Sequence, residues 1–206
     1  MLNKIKYILF LAFIISSIDI NAQENNILDK ISKTSENTKT MQCSFTQTKN
    51  ISILAEEFVS KGYMFFSAPD KFRWEYASPY EYIFIMNEKD ISIITESSQN
   101  NFNTDQNKLF AEISKIMIVG INGSGLEKNE SFNVDLQSEN NNEYIFKLTP
   151  KQKEIKKIFS YILLTFDNTF TVSKIEMIED TGDNTVIKFS PRIINEPIND
   201  EVFKIR

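Results

Sequence analysis

From Met41 onward, apolar and polar residues alternate through one strand-length segment after another, and this period of two limits the fold more than any other feature. Successive side chains of an extended strand point to opposite faces, so each segment carries one apolar face that must be buried. Met41, Cys43 and Phe45 alternate with Gln42, Ser44 and Thr46. The same pattern predicts strands at Phe58 to Phe66, Lys71 to Tyr76, Tyr82 to Asn87, Ile91 to Thr95, Phe132 to Gln137 and Tyr144 to Thr149. Three more are predicted at Ile158 to Asp167, Thr171 to Glu179 and Thr185 to Ser190. Between them lie Ala68-Pro69-Asp70, Ser78-Pro79, Asn87-Glu88-Lys89-Asp90, Asn140-Asn141-Asn142, Asp167-Asn168 and Thr181-Gly182-Asp183-Asn184. These are the residues that tight turns use.

Two segments depart from the period of two. Ile27, Leu28 and Ile31 fall at helical spacing within Asn26 to Thr40, with Asn25 or Asn26 as the expected N-cap. In Thr104 to Val119, Leu109, Phe110, Ile113, Ile116 and Met117 form the apolar stripe of a second helix, expected to end at Gly120. There is no internal repeat and no linker. The expectation is one mainly β (α+β) domain of about ten antiparallel strands with two helices, the second inserted between strands.

The aromatic residues concentrate on the early strands. Between Phe58 and Phe84 stand Tyr63, Phe65, Phe66, Phe72, Trp74, Tyr76, Tyr80 and Tyr82. On Lys71-Phe72-Arg73-Trp74-Glu75-Tyr76 the aromatics take one face and the charges the other. Such a face is buried either in an ordinary core packed by the two helices or around an apolar cavity under a sheet too wide for them to fill. Alternation alone leaves both readings open.

Composition narrows the chemistry. The chain has no histidine, which removes Ser-His and Cys-His relays, HExxH zinc sites and imidazole bases. Its single cysteine excludes an intramolecular disulfide and a CxxC site. The formal net charge of −5 and a sequence pI near 5.0 make nucleic acid an unsuitable partner. Gly120-Ile121-Asn122-Gly123-Ser124-Gly125 follows a helix and lacks the Lys-Ser/Thr of a phosphate loop, so it reads as a helix cap and loop. Glu179-Asp180-Thr181-Gly182-Asp183 does not match a calcium-binding loop, and Lys151, Lys153, Lys156 and Lys157 read as a solvated connection. No carboxylate pair stands in a catalytic frame. The chain is expected to be no enzyme and to need no metal or cofactor.

Residues 1–22 read as a secretory signal peptide. Lys4 and Lys6 precede the apolar run Ile8 to Ile18, and Ile20-Asn21-Ala22 places a small residue before an expected cut at Gln23. The run is short for a transmembrane helix, and Cys43 lies too far downstream to be a lipidation site. Residues 23–206 then form the single mature domain, expected outside the cytoplasm.

Several motifs, in order, resemble the LolA family of periplasmic lipoprotein carriers. They are the short helix, Ser44-Phe45-Thr46-Gln47, Gly62 in a strand, and Pro69-Asp70-Lys71-Phe72-Arg73-Trp74-Glu75-Tyr76 followed by Pro79. Leu148-Thr149-Pro150, Thr165-Phe166-Asp167 and Gly182-Asp183-Asn184-Thr185 leading to Ile187 and Phe189 extend the resemblance over the mature chain. The resemblance implies an open, strongly curved antiparallel half-barrel of about ten to eleven strands, its concave apolar face covered by two or three helices. It implies a monomeric periplasmic carrier that takes acylated lipoproteins from an inner-membrane ABC-type complex and delivers them to an outer-membrane acceptor. A related lipid- or lipoprotein-binding module that senses or stores cargo is the alternative. By position, Phe72 and Trp74 match the family's aromatic pair at the cavity mouth. Alternation extends the expected acyl lining to Phe45, Met64, Phe66 and Tyr76, and Ile113, Ile116 and Met117 are the expected lid residues, with Gly120 to Gly125 letting the lid move. Two positions depart from the best-known members. Ala68 stands where they carry a lid-latching arginine, and Asn87-Glu88-Lys89 replaces an Asp-Gly turn.

Overall fold

The computed structural model describes residues 24–140 and 143–205, the side chains of residues 108 and 109 aside. The expected export segment, residues 1–22, lies outside them. Helix α1 (24–37) precedes β1 (Thr40–Ile51), β2 (Glu56–Ser67), β3 (Lys71–Ser78), β4 (Tyr82–Asn87), β5 (Asp90–Thr95) and β6 (Gln99–Asn103). Helix α2 (Lys108–Asn122) leads into β7 (Phe132–Asn140) and β8 (Glu143–Pro150). The one-turn α3 (Lys153–Lys156), β9 (Tyr161–Phe166), β10 (Val172–Ile178), β11 (Asn184–Phe189) and the two-residue β12 (Ile193–Ile194) follow, and a 3-10 turn (Asp200–Phe203) closes the chain.

The strands form one antiparallel sheet in the order β6-β5-β4-β3-β2-β1-β11-β10-β9-β8-β7, with β12 added beside β1. It is an open sheet: β6 and β7 are its two edges and do not pair. Strand β1 joins the halves, since it pairs with β2 on one side and with β11 on the other. Twelve strands among the described residues exceed the expected number because β6 and β12 carry no readable pattern. Gln99-Asn100-Asn101-Phe102-Asn103 has one apolar residue and three asparagines, which strands disfavour. It is held by its pairing to β5 and by Phe102, whose ring lies 4.2 Å from that of Phe110 on α2.

The strand register sorts the faces. Phe72 stands opposite Phe66 and Met86, and Trp74 opposite Met64 and Phe84, all on the inner face. Arg73 and Glu75 lie on the outer face, joined at 2.7 Å. The C-terminal segment crosses this outer face: Arg73 Nη1 donates to the Val202 carbonyl and Lys71 pairs with Asp200 at 3.0 Å. Phe203 and Ile85 are buried beneath it. Arg73 therefore fastens the tail and stands on the side of the sheet away from α2.

The inner face divides along the strand direction. Toward the β2–β3 and β9–β10 turns, Ile27, Leu28 and Ile31 of α1 pack into the core with Met41, Phe66, Phe72 and Phe166. Gly123, just past the end of α2, sits at φ +75°, and a side chain there would come within 2.7 Å of Ile31 and 2.9 Å of Phe166. Glycine is required both for the left-handed turn and for this close approach. Gly62 is required for a different reason. An added Cβ would meet the Glu75 carbonyl and approach the Phe45 ring to 2.6 Å.

Helix boundaries differ from expectation by a few residues. At residue 24 the helix is already under way, so Asn25 and Asn26 lie within it. Helix α2 starts at Lys108, with Asn107 Oδ1 accepting from the Phe110 amide, and continues through Gly120 to Asn122. Gly120 is thus helical. The turn after it is held by Gly123 N donating to Val119 O, Ser124 N donating to Asn122 Oδ1, and the buried Leu126. The expected loop therefore begins at Gly123 rather than at Gly120.

Candidate lipid-binding cavity

Toward the other end of the sheet the inner face is not filled by α1, and a cavity of about 330 Å³ remains beneath α2. Trp74 and Tyr76 of β3, Tyr82 and Phe84 of β4 and Ile93 of β5 form one wall. Leu148, Ile162, Leu164, Ile175, Met177 and Ile187 form the other, contributed by β8 to β11. Phe110, Ile113, Ile116 and Met117 of α2 cover it. Among the described residues, no charged side chain lines the cavity.

Two of its polar groups satisfy one another. The Tyr76 hydroxyl donates to Gln47 Oε1 at 2.8 Å. Burial pushes the Tyr76 and Tyr82 hydroxyls above the usual tyrosine value, so both remain neutral at physiological pH. Burial likewise pushes the Cys43 thiol up to about 12 and keeps it un-ionised. Such a surface offers mainly dispersion contacts, which suits hydrocarbon.

The expected site residues separate into two layers. Trp74 and Tyr76 face the cavity, as do Ile113, Ile116 and Met117. Phe45, Met64, Phe66 and Phe72 lie in the packed layer and are all buried. Phe45 supports the wall from behind, its ring stacked 4.0 Å from Trp74 and edge-on to Tyr76 at 5.4 Å. Tyr82 and Phe84, although part of the aromatic block, and Ile93 and the walls from β8 to β11 were not expected as lining residues, although each strand carried the same alternation. The aromatic block drew attention to one half of a site that both halves of the sheet build.

A polar cluster tethers the covering helix on its outer side. Glu112 of α2 accepts from Lys115 at 3.0 Å, from Ser131 Oγ at 3.0 Å and from Gln152 Nε2 at 3.3 Å. Burial acts to raise the Glu112 carboxyl, but these hydrogen bonds outweigh it and hold the group below the usual glutamate value. A lowered folded value means that the tether is intact above the unfolded pKa of about 4.3 and is lost as pH falls through the folded value. Glu112→Ala is expected to weaken docking of α2 by about 1–2 kcal/mol. Hydrogen exchange of the α2 amides near neutral pH should accelerate roughly tenfold, the wild type approaching the variant's local stability only in acid; equal protection in both proteins at neutral pH would show that Glu112 tethers nothing.

The model of the family "outer membrane lipoprotein carrier protein LolA" matches residues 36–206. The chain belongs to the LolA family. A curated relative from Chromohalobacter salexigens, named outer-membrane lipoprotein carrier protein, is 24% identical over 140 residues. That match covers 68% of this chain, and the chain spans only 63% of the relative's length. Among solved structures, MucB superposes with a TM-score of 0.53 at 12% identity, over 90% of this chain and 63% of MucB. A LolA-superfamily protein from Nitrosomonas europaea matches with a TM-score of 0.47 at 11% identity, over 88% of this chain and 97% of its own. At these identities the structural likeness concerns the fold. Among the described residues of this LolA-family chain, no helix is long and apolar enough to cross a membrane, and no cluster of His, Cys, Asp or Glu is arranged to hold a metal ion.

Proposed function

We propose that the protein is a periplasmic carrier that shields the acyl chains of lipoproteins in the cavity beneath α2 and moves them from the inner to the outer membrane. The observation that carries this reading is an uncharged apolar cavity roofed by a helix that brings four apolar side chains of its own. Keeping an acyl chain out of water is worth about 0.8 kcal/mol per CH₂, so a carrier needs a continuous apolar lining. In the absence of cargo, Phe110, Ile113, Ile116 and Met117 supply that apolar contact to the walls. At about 330 Å³ the space lies near the lower end of the roughly 300–1,000 Å³ of small-ligand sites. Full acylated cargo therefore enters as α2 moves outward and its residues exchange the walls for hydrocarbon.

Residues 1–22 act in this reading as a cleaved export signal. The donor is an inner-membrane ABC-type complex and the receiver an outer-membrane acceptor. Membership in the LolA family supports both parts of this reading. The test is release of newly made lipoproteins from spheroplasts. Added protein is expected to move them into soluble one-to-one complexes. Binding of acyl chains without release would assign the chain a storing or sensing role, and absence of acyl binding would overturn the reading.

A further inference from the structure

Strand register places the loops β1–β2, β3–β4, β5–β6, β8–β9 and β10–β11 at one end of the sheet. Six of the eight large apolar side chains exposed among the described residues lie toward that end. Ile53 is 89% exposed and Leu54 56% at the β1–β2 tip, Tyr80 is 75% exposed in the β3–β4 loop, and Ile158 is 42% exposed in the β8–β9 link. Strand β2 meets β3 only from Lys61 onward, so the hairpin projects past its neighbour on that side.

The tip is held in shape. The Ser52 amide and hydroxyl both donate to Asp183 Oδ1 at 2.9 Å, Leu54 N donates to Ile51 O at 3.2 Å, and Ala55 N to Ser52 O at 3.3 Å. A turn meant only for water is built from Gly, Asn, Asp and Ser. This one presents two aliphatic side chains from a fastened backbone.

We propose that this tip inserts into the surface of a net-neutral phospholipid bilayer and so sets the cavity beside lipid. The tip is too small to form a protein interface, which buries about 800 Å² per partner and centres on Trp, Tyr and Arg rather than Ile and Leu. Residues 50–55 carry no charge, as the hydrocarbon boundary requires. Tyr80 on the same end has the amphipathic ring that settles at headgroup level. The charges at this end of the sheet are of both signs: Lys49, Lys153, Lys156 and Lys157 stand with Glu56, Glu57, Glu179, Asp180 and Asp183, the last holding Ser52 of the tip. That mixture matches zwitterionic headgroups better than an anionic surface. Tyr76 and Tyr82, which line the cavity, flank the Tyr80 loop, so the inserted end is the end where the cavity lies.

The inference goes beyond the carrier reading and is tested separately from it. The exported protein is mixed with phosphatidylethanolamine–phosphatidylcholine vesicles and sedimented. Wild type should partition onto them, little affected by added salt, and Ile53→Ser/Leu54→Ser should reduce the partition coefficient at least roughly tenfold. In Ile53→Trp the new tryptophan should shift to the blue and be quenched by brominated acyl chains. Wild type that stays in solution, a double variant that sediments equally, or binding that needs anionic lipid and disappears in salt overturns the proposal. So does a tip substitution that changes only self-association. Fluorescent fatty acid binding in solution should be the same in wild type and double variant. Its absence from wild type would count against the carrier reading and leave the vesicle result standing.

Discussion

Trp74→Glu is expected to abolish binding of a fluorescent fatty acid, by at least about a hundredfold, or ~2.7 kcal/mol. Trp74 is buried in the cavity wall, stacked on Phe45 from behind. A carboxylate in its place faces an uncharged lining with no cation to pair with, and an unpaired buried charge costs several kcal/mol. Its pKa should rise above the ordinary glutamate value of about 4.3, because burial disfavours the charged form. Binding should then partly return as pH falls and the group becomes neutral. Ile116→Glu on the half-buried face of α2 gives the same test in a position that disturbs the sheet less. Unaltered binding in both folded variants would remove this cavity as the acyl site.

Phe72→Ala should have the opposite profile: a loss of about 3–5 kcal/mol of stability in urea denaturation, the range for a buried phenylalanine. Fatty-acid affinity, measured where the variant is folded, should change little. Phe72 is 0% exposed and stands among Phe66, Trp74 and Phe84, with ring centres 6.0 Å from Trp74 and 6.2 Å from Phe84. It fills the core and does not reach the cavity wall. A stable variant that had lost binding would reverse that assignment. Together the two substitutions separate the layer that holds the sheet together from the layer proposed to hold cargo, although the residues lie two apart on one strand.

That separation marks how far local pattern reached. Phe72, Trp74 and Tyr76 share a face because the pleat repeats every second residue, and this was readable from Lys71-Phe72-Arg73-Trp74-Glu75-Tyr76 alone. What lies above each of the three was not. Helix α1 packs over the Phe72 end and leaves the Tyr76 end open, a contact between segments about forty residues apart. The stripe on α2 was readable for the same periodic reason. Its continuation through Gly120 was not, because glycine is a weak helix residue that here lies within an otherwise apolar stretch against Ile175. Strand β6 was invisible because its asparagines obey its neighbour's pairing rather than their own preference. Glu112 had no local signature at all: its partners Ser131 and Gln152 are 19 and 40 residues away.

By itself the sequence determined the period of each element, the apolar face each must bury, the absence of histidine chemistry and membership in the LolA family. These are local or compositional properties, carried by neighbouring residues and by residue type. Only the tertiary structure decided which aromatics are core and which face empty space, which charges tether α2, and that exposed aliphatic residues gather at the cavity's end of the sheet. Those depend on how an open sheet curves and where two helices rest on it, and the free energy that sets them comes from contacts between residues far apart in the chain.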